Sequence, residues 1–378
     1  MKYLQQLNKI LTLNQKKTAI YLTLLSFISM MLEILTLNFM LILLSYMTNP
    51  LTLSDSKFFA YLQNINFNYD LNLIIIIIFI SSFFIKTFFN IFYHYKQVKF
   101  VHVSRSELSH SFFKGYLYLP RIFHLRSNTS DLIKSITVEI DNIMTSIHAL
   151  SIIVMETVAL IGISIFLLFV NFKLTIICFL LLTAFSFLIS IINQKKIIQM
   201  GKDRVKIVQL RLKSVIEGLS GSKVFELTGS QKNLLTDFSK YNVSFAKLSY
   251  NAGFRATLPR PIFELFILFL IGSVFIFTFE GKSQIASIIP TLGVFLTASY
   301  RLIPSFARIT ESIQKFQFNI QSAEKLSRDM EKFENINFAS RENVPKINFK
   351  DSINFQNVNF SYNKNLKIES NFVLKNLN

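Results

Sequence analysis

The chain has 378 residues, of which 51% are hydrophobic and only 16% are charged, and its mean hydropathy is +0.42. A typical soluble domain has about 25% charged residues, so this composition excludes a disordered chain and an ordinary water-soluble protein. The 40 lysines and arginines outnumber the 22 aspartates and glutamates, which gives a formal net charge of +18. A basic excess in so apolar a chain is typical of a membrane protein with cytoplasmic loops, and it argues against a nucleic-acid-binding protein.

Six apolar stretches approach the length of about 20 residues that a helix needs to cross about 30 Å of hydrocarbon. In chain order they are 18–47, 71–93, 147–170, 174–193, 262–279 and 285–305. The first is too long for a cleaved signal peptide, so we interpret it as a retained helix. The sequence therefore predicts an all-α membrane protein with six transmembrane helices.

The distribution of lysine predicts the topology. Lys2, Lys9, Lys16 and Lys17 precede the first stretch without any acidic residue, which places the N-terminus in the cytoplasm. With six spans, the C-terminus is expected there as well. Two long basic loops then face the cytoplasm and three shorter loops lie outside.

The two long internal loops have the composition of helices, because Gly and Pro are sparse and apolar residues recur every three or four positions. We expect helices that extend far into the cytoplasm, with turns near 119–124 and 224–231 where Pro or Gly interrupts the pattern. The stretch 306–333 predicts a further helical continuation. After about residue 334, apolar and polar residues alternate, which indicates β-strands.

This layout resembles the half-transporter of an ABC exporter. The string GYLYLPRIFHLRSNTSDLIKSITVEIDNI resembles the first coupling loop of that family, and EGLSGSKVFELTGSQKNLLTDF resembles the second. INFQNVNFSY and VLKNLN are similar to the first strands of its nucleotide-binding domain. Within the family, MTNP, LPRPIFE and ASYRLIPSFARI resemble flippases of lipid-linked oligosaccharides, and the overall likeness covers essentially the whole chain.

The resemblance implies a domain organisation. Residues 1–17 would form a cytoplasmic elbow, 18–333 the transmembrane domain with two coupling loops, 334–345 a linker and 346–378 the incomplete start of the nucleotide-binding domain. The GxxxxGK[ST] loop that cradles nucleotide phosphates does not occur in this sequence. We therefore expect that these residues alone do not hydrolyse ATP, and that ATP and Mg²⁺ belong to a complete protein.

The family also implies the partners and the location. It predicts a second identical subunit, a nucleotide-binding domain in cis or in trans, membrane lipid and an amphiphilic lipid-linked substrate. The location would be the bacterial inner membrane, with both termini in the cytoplasm.

Several residues take roles by this resemblance. Tyr362, at the end of FSY, matches the aromatic side chain that stacks on adenine in the full-length family members. Phe123, Phe225 and Leu227 lie in the coupling turns and are candidates for docking on the ATPase domain, since an apolar anchor in a groove is the usual centre of such a contact. The alternative is that they belong to ordinary turns.

Charged residues within the membrane windows are costly to insert, so each is a functional hypothesis. Glu33, Lys86, Glu156 and Arg301 are candidates for a polar cavity that accepts the headgroup of an amphiphile. Arg301 is the best candidate for a phosphate contact, because its planar guanidinium suits a pyrophosphate. The alternative is interhelical pairing that fixes packing, for example between Glu33 and Lys86.

Other chemistry is not favoured. Cys178 lies in the apolar string TIICFLLL and is expected to pack as a small hydrophobic side chain. His94, His102 and His110 are eight residues apart and do not share a helix face, so we predict no metal site. We also find no set of nucleophile, base and orienting group, and we predict no catalytic residues within this sequence.

The reading that these features favour is an ATP-driven exporter subunit that flips a lipid-linked oligosaccharide or a similar amphiphile. Two alternatives remain open. One is a peptide or multidrug exporter on the same scaffold, which a wholly aromatic cavity would favour. The other is an inactive, truncated membrane scaffold subunit.

Overall fold

The computed structural model describes residues 2–48, 71–170, 172–265, 268, 285–334, 352–361 and 373–377. The helices have the following bounds: α1 Lys2–Ile10, α2 Leu13–Thr48, α3 Leu71–Tyr118, α4 Arg121–Arg126, α5 Thr129–Lys134, α6 Ile140–Val170, α7 Phe172–Ser220, α8 Ser222–Thr228, α9 Gln231–Thr257, α10 Ile285–Asn319 and α11 Ala323–Glu334. A π-helical turn, Ser135–Glu139, joins α5 to α6, and a 3₁₀ turn, Ile320–Ser322, joins α10 to α11. Residues 259–265 form a short helical segment.

Two helices are much longer than a bilayer is thick. α3 has 48 residues and α7 has 49, and at 1.5 Å per residue each is about 70 Å long. A hydrocarbon layer of about 30 Å accommodates less than half of that length. The remainder of each helix is rich in Lys and Arg, as the sequence predicted for cytoplasmic extensions.

Four helical stretches among the described residues are long and apolar enough to span a membrane. They are Leu13–Leu43, Ile76–Tyr118, Thr129–Val170 and Thr175–Ser220. Large apolar side chains on them point outward, and Phe88 on α3 is 69% exposed. Such exposure suits contact with lipid. Together these features confirm an all-α membrane protein for this part of the chain.

The predicted fifth window, 262–279, lies mostly outside the described residues. The sixth window falls on α10, whose backbone is helical from Ile285.

The helices form two buried apolar clusters. One lies around and beyond the predicted cytoplasmic ends of the membrane windows, and it joins α1, α2, α3, α6 and α11 around Phe112, Met144 and Leu326. The other lies within the predicted spans and joins α2, α6, α7 and α10 around Ile163 and Phe306. α10 packs along α6, and α2 lies between α3 and α6. These four helices, α2, α3, α6 and α10, therefore surround a common interior.

The helical continuation predicted for 306–333 is interrupted. The 3₁₀ turn Ile320–Ser322 separates α10 from α11, and Ile320 is fully buried. Ser322 in this turn donates a hydrogen bond to Glu139 of the π-helical turn. This long-range contact gives a physical reason for the break. The periodicity of residues 306–333 could not predict it, because Glu139 lies outside that stretch.

Two short strands follow the helices. β1, Val358–Ser361, pairs antiparallel with β2, Val373–Leu377, and Ser361 lies opposite Val373. The strands fall in the two strings that resemble a nucleotide-binding domain. That assignment remains a prediction, as do the domain boundaries, because residues 335–351, which include nearly all of the predicted linker 334–345, and residues 362–372 lie outside the described residues.

Candidate functional site: a polar cavity within the membrane

A polar cavity of about 570 Å³ opens between α2, α3, α6 and α10. Its lining consists of polar and ionisable side chains with a few aliphatic ones: Glu33, Lys86, Asn90, His94, Gln97, Val98, His148, Ile152, Met155, Glu156 and Arg308. Among these lining residues there is no phenylalanine or tyrosine. The cavity begins in the middle of the predicted membrane windows and ends at the boundary predicted to face the cytoplasm.

The first ion pair of the cavity joins α2 to α3. Lys86 Nζ donates to Glu33 Oε1 at 2.7 Å, and the Glu33 side chain is only 3% exposed. One helical turn away on both helices, Ser29 Oγ donates to Asn90 Oδ1 at 2.7 Å. The structure thus makes the pairing of Glu33 with Lys86 that the sequence offered as an alternative, and it places the same pair in the wall of a cavity.

The second ion pair joins α6 to α10. Arg308 Nε donates to Glu156 Oε1 at 2.5 Å; Glu156 is 5% exposed, whereas Arg308 is 40% exposed. Within the described part of the chain, Glu156 Oε2 and Arg308 Nη2 have no hydrogen-bond partner although both atoms are buried. Buried polar atoms without partners are costly. These two atoms are therefore available to a polar ligand.

The end of the cavity at this predicted boundary carries imidazole and amide groups. His94 Nδ1 lies 3.4 Å from Gln97 Oε1, and Gln97 Nε2 donates to Ser151 Oγ at 2.8 Å. His148 enters the lining from α6. Imidazole and amide groups donate and accept hydrogen bonds, so this end suits hydroxyl and phosphate oxygens.

Sequence reasoning missed Arg308, which follows the sixth window and was assigned to the cytoplasmic continuation. A signal was present, because Arg301 and Arg308 are seven residues apart and thus lie on one face of a helix after two turns. It also missed that His94 and His148, on different helices, line one cavity. Spacing within a single helix cannot show that. The side chain of Arg301 lies outside the described part, so its role remains a prediction, and so does that of Tyr362, which lies outside it altogether.

A second cluster of buried polar groups lies outside the predicted membrane windows, in the segments predicted to be cytoplasmic, and we call it the loop network: Lys134, Glu139, Asn142, Arg204 and Ser322. The side chains of Lys134 and Glu139 are each 1% exposed, and their charged atoms are 3.4 Å apart. Asn142 connects Glu139 to Arg204. Its side-chain NH₂ donates to Glu139 Oε2 at 3.4 Å, and its side-chain oxygen accepts from Arg204 Nη1 at 2.9 Å. Ser322 donates to the same carboxylate.

The loop network ties the first coupling loop to α7 and to the end of α10. Arg204 on α7 donates to Asn319 Oδ1 on α10 at 2.6 Å, and its guanidinium lies 4.4 Å from the centre of the Phe318 ring. Nearby on α11, burial lowers the pKa of Lys325, and the positive charge of Lys134 lowers it further. Lys134 thus forms the ion pair with Glu139, whereas Arg204 is linked to the same carboxylate through Asn142 and by its longer-range Coulomb attraction.

The three candidate docking residues differ in exposure. Phe123 on α4 is half-buried. Its ring stacks on the ring of Tyr116, with 6.2 Å between the centroids, and the ammonium of Lys332 lies 5.4 Å from the centroid of the Phe123 ring. Phe225 on α8 is also half-buried, whereas Leu227 is 79% exposed. Docking on an ATPase domain remains a prediction for all three, and Leu227 offers the most free apolar surface.

The turn after α8 is built by a glycine. Gly229 has a φ of 64°, a left-handed conformation that a side chain disfavours, and Ser230 N donates to Phe225 O at 3.1 Å. This cap ends α8 sharply and allows α9 to run back beside α7. The second predicted turn thus consists of a short helix, α8, followed by a tight cap.

Comparison with known proteins gives one distant relative of interest and no match to a family model. The ATP-dependent lipid A-core flippase of Cupriavidus metallidurans is 20% identical to the chain over 215 residues. The match covers 57% of this chain and 36% of the relative, so it spans about a third of the flippase's length. Together with the apolar helices, this similarity supports an ABC exporter-like membrane protein.

Proposed function

We propose that the chain is the transmembrane part of an ATP-driven exporter that flips a lipid-linked oligosaccharide or a similar amphiphile, and that the polar cavity receives the headgroup. The observation that carries this proposal is the cavity itself, with two ion pairs and no aromatic side chain of Phe or Tyr in its described lining. The distant similarity to a lipid A-core flippase supports a lipid substrate.

The cavity chemistry favours a headgroup that contains both sugar and phosphate. The carboxylate of Glu156 accepts hydrogen bonds from hydroxyl groups, and Asn90 and Gln97 both donate and accept. Arg308 and Lys86 supply positive charge, and the free Nη2 of Arg308 suits a phosphate oxygen. A wholly apolar drug would leave Glu156 Oε2 and Arg308 Nη2 without partners, which is costly in a buried site.

Transport requires coupling to a source of energy. In a complete exporter, ATP and Mg²⁺ would supply that energy at nucleotide-binding domains, in cis or in trans, of two identical subunits in the bacterial inner membrane. Here the short helices α4 and α8 would receive the domain movement, and the long rigid helices α3 and α7 would carry it to the cavity, as a lever does. This mechanism rests on the resemblance and on the continuity of these helices.

The proposal is tested by lipid binding to the chain in nanodiscs of zwitterionic phospholipid. Native mass spectrometry would measure the affinity for a polyprenyl pyrophosphate with and without an attached saccharide. We expect tighter binding of the saccharide form. Arg308→Gln should weaken binding by about 10- to 100-fold, because a hydrogen bond to a charged group contributes roughly 1.5–3 kcal/mol.

Arg260→Gln is the matched control. Arg260 also pairs with a glutamate, Glu264, at 3.1 Å, but both side chains are exposed. Because Arg308→Gln leaves Glu156 buried without its partner, the double variant Glu156→Gln/Arg308→Gln separates misfolding from lost recognition. Equal affinities of the wild type and both Arg308 variants would refute the headgroup site.

The alternatives predict other outcomes. Binding of an aromatic cation in preference to the saccharide lipid would favour a multidrug or peptide exporter. Binding of neither would favour an inactive scaffold subunit.

A further inference from the structure

A groove on the outside of the bundle runs along the contact between α2 and α3, and we call it the α2–α3 groove. It has a volume of about 280 Å³, and its lining includes Tyr21, Leu22, Lys96, Lys99 and Phe100. Successive residues of a helix are about 100° apart, so Lys96 and Lys99 lie about 120° or more around α3 from Asn90 and His94 of the polar cavity. The groove is therefore a site distinct from the cavity.

The groove lies at the cytoplasmic surface of the membrane. The second membrane window ends at residue 93, so Lys96 and Lys99 are roughly 5 and 9 Å beyond it at 1.5 Å per residue. On the antiparallel helix α2, Tyr21 is three residues inside the start of the first window. Lysine and tyrosine at this depth lie at the level of lipid headgroups.

The floor of the groove is apolar and its rim is basic. Leu22 and Phe100 are buried and form the floor. The ammonium of Lys96 lies 5.2 Å from the centre of the Phe92 ring, so positive charge and exposed apolar surface adjoin at the rim. A molecule with acyl chains and a charged headgroup fits this arrangement.

The sign of the charge selects an anionic headgroup. Lys16 and Lys17 on the first turn of α2 add to the two lysines of the rim. The carboxylate among the lining residues, Glu107, accepts a hydrogen bond from Gln15 Nε2 at 2.7 Å. It lies eight residues or more along α3 from the lysines, about 12 Å or more away. Within the described ranges, Lys96 and Lys99 form no ion pair.

We propose that the α2–α3 groove binds an anionic phospholipid of the cytoplasmic leaflet. Lys96 and Lys99 contact the headgroup phosphate, and an acyl chain lies against Leu22 and Phe100. Basic sites beside transmembrane helices at the cytoplasmic surface have the charge complementarity that such lipids require. The bound lipid would attach the start of α2 to α3 and would not enter the polar cavity, so this site does not depend on the proposed function.

The test measures phospholipid bound to the full chain in neutral detergent by native mass spectrometry. The probes are phosphatidylglycerol and phosphatidylethanolamine, and sn-glycerol 3-phosphate serves as a soluble headgroup. We expect tighter binding of phosphatidylglycerol at one site and no competition from glycerol 3-phosphate. Each of the changes Lys96→Gln and Lys99→Gln should weaken binding about fivefold.

The matched control is Lys195→Gln/Lys196→Gln. These two exposed lysines of α7 lie at the same membrane boundary, just beyond the fourth window, and do not line the groove. Lys96→Arg/Lys99→Arg keeps the charge and should retain binding. The proposal is overturned if Lys96→Gln/Lys99→Gln loses no more affinity than Lys195→Gln/Lys196→Gln, if the two phospholipids bind with equal affinity, or if glycerol 3-phosphate displaces the lipid.

Discussion

The loop network makes a sharp prediction about two substitutions that break the same ion pair. Lys134 and Glu139 are both almost fully buried, and their charged atoms are 3.4 Å apart. If the pair stood alone, removing either partner would lower the free energy of unfolding by a similar amount. The network holds a third charge, however. Arg204 is hydrogen-bonded to Asn142, which donates to Glu139, so the negative charge of Glu139 attracts Arg204 as well as Lys134.

Glu139→Gln should therefore be much more destabilising than Lys134→Met. The first leaves two buried cations without a carboxylate, and losing one partner of a buried ion pair costs about 3–5 kcal/mol. The second leaves Glu139 with Arg204 and with the Ser322 hydroxyl, and it also removes the repulsion between Lys134 and Lys325. We expect Lys134→Met to lower the free energy of unfolding by about 1 kcal/mol or less.

In the assay, sodium dodecyl sulfate unfolds the chain in mild detergent, and circular dichroism at the helical band monitors the loss of helix. The chain has no tryptophan, so the helical signal is the natural probe. Glu217→Gln provides the control, since it breaks the exposed Lys213–Glu217 pair of 3.6 Å on α7 and should cost about 0–1 kcal/mol. A loss for Lys134→Met equal to that for Glu139→Gln would refute the two-cation reasoning.

Three glycine substitutions give further predictions, all read out by the same unfolding assay. Gly201→Ala should lower the free energy of unfolding by about 1–3 kcal/mol, because the new Cβ would lie 2.5 Å from the backbone oxygen of Phe318. An unchanged free energy of unfolding would show that α7 and α10 are not in close contact. Gly229→Ala should destabilise by about 1 kcal/mol through its left-handed φ of 64°. Gly253→Ala should instead stabilise by up to about 1 kcal/mol, since it lies inside α9 with nothing within 4 Å of the new Cβ. The same sign for these last two changes would contradict the reasoning.

The local elements were largely predictable from the sequence. α3 and α7 continue past their membrane windows because apolar residues keep a helical spacing and no proline interrupts either helix, and both signals are local. The break at Ile320–Ser322 was not predictable, because the Ser322 contact with Glu139 joins residues 183 positions apart. The same limit applies to the cavity. Glu33 and Glu156 are candidates from the sequence because a charged side chain is costly to insert into a membrane. The ion pair between Glu156 and Arg308 is not visible in the sequence, because it forms only when α6 packs against α10.

The sequence by itself indicated a membrane protein, since long apolar stretches with few charged residues have no stable alternative as exposed helices in water. It also determined where the charge lies, because the excess of +18 falls mainly on the predicted cytoplasmic segments. Only the tertiary structure decided what the charged groups within and near the spans face. A helix fixes the angle between its own residues, but the choice between lipid, an ion pair and a cavity depends on which helix packs beside it.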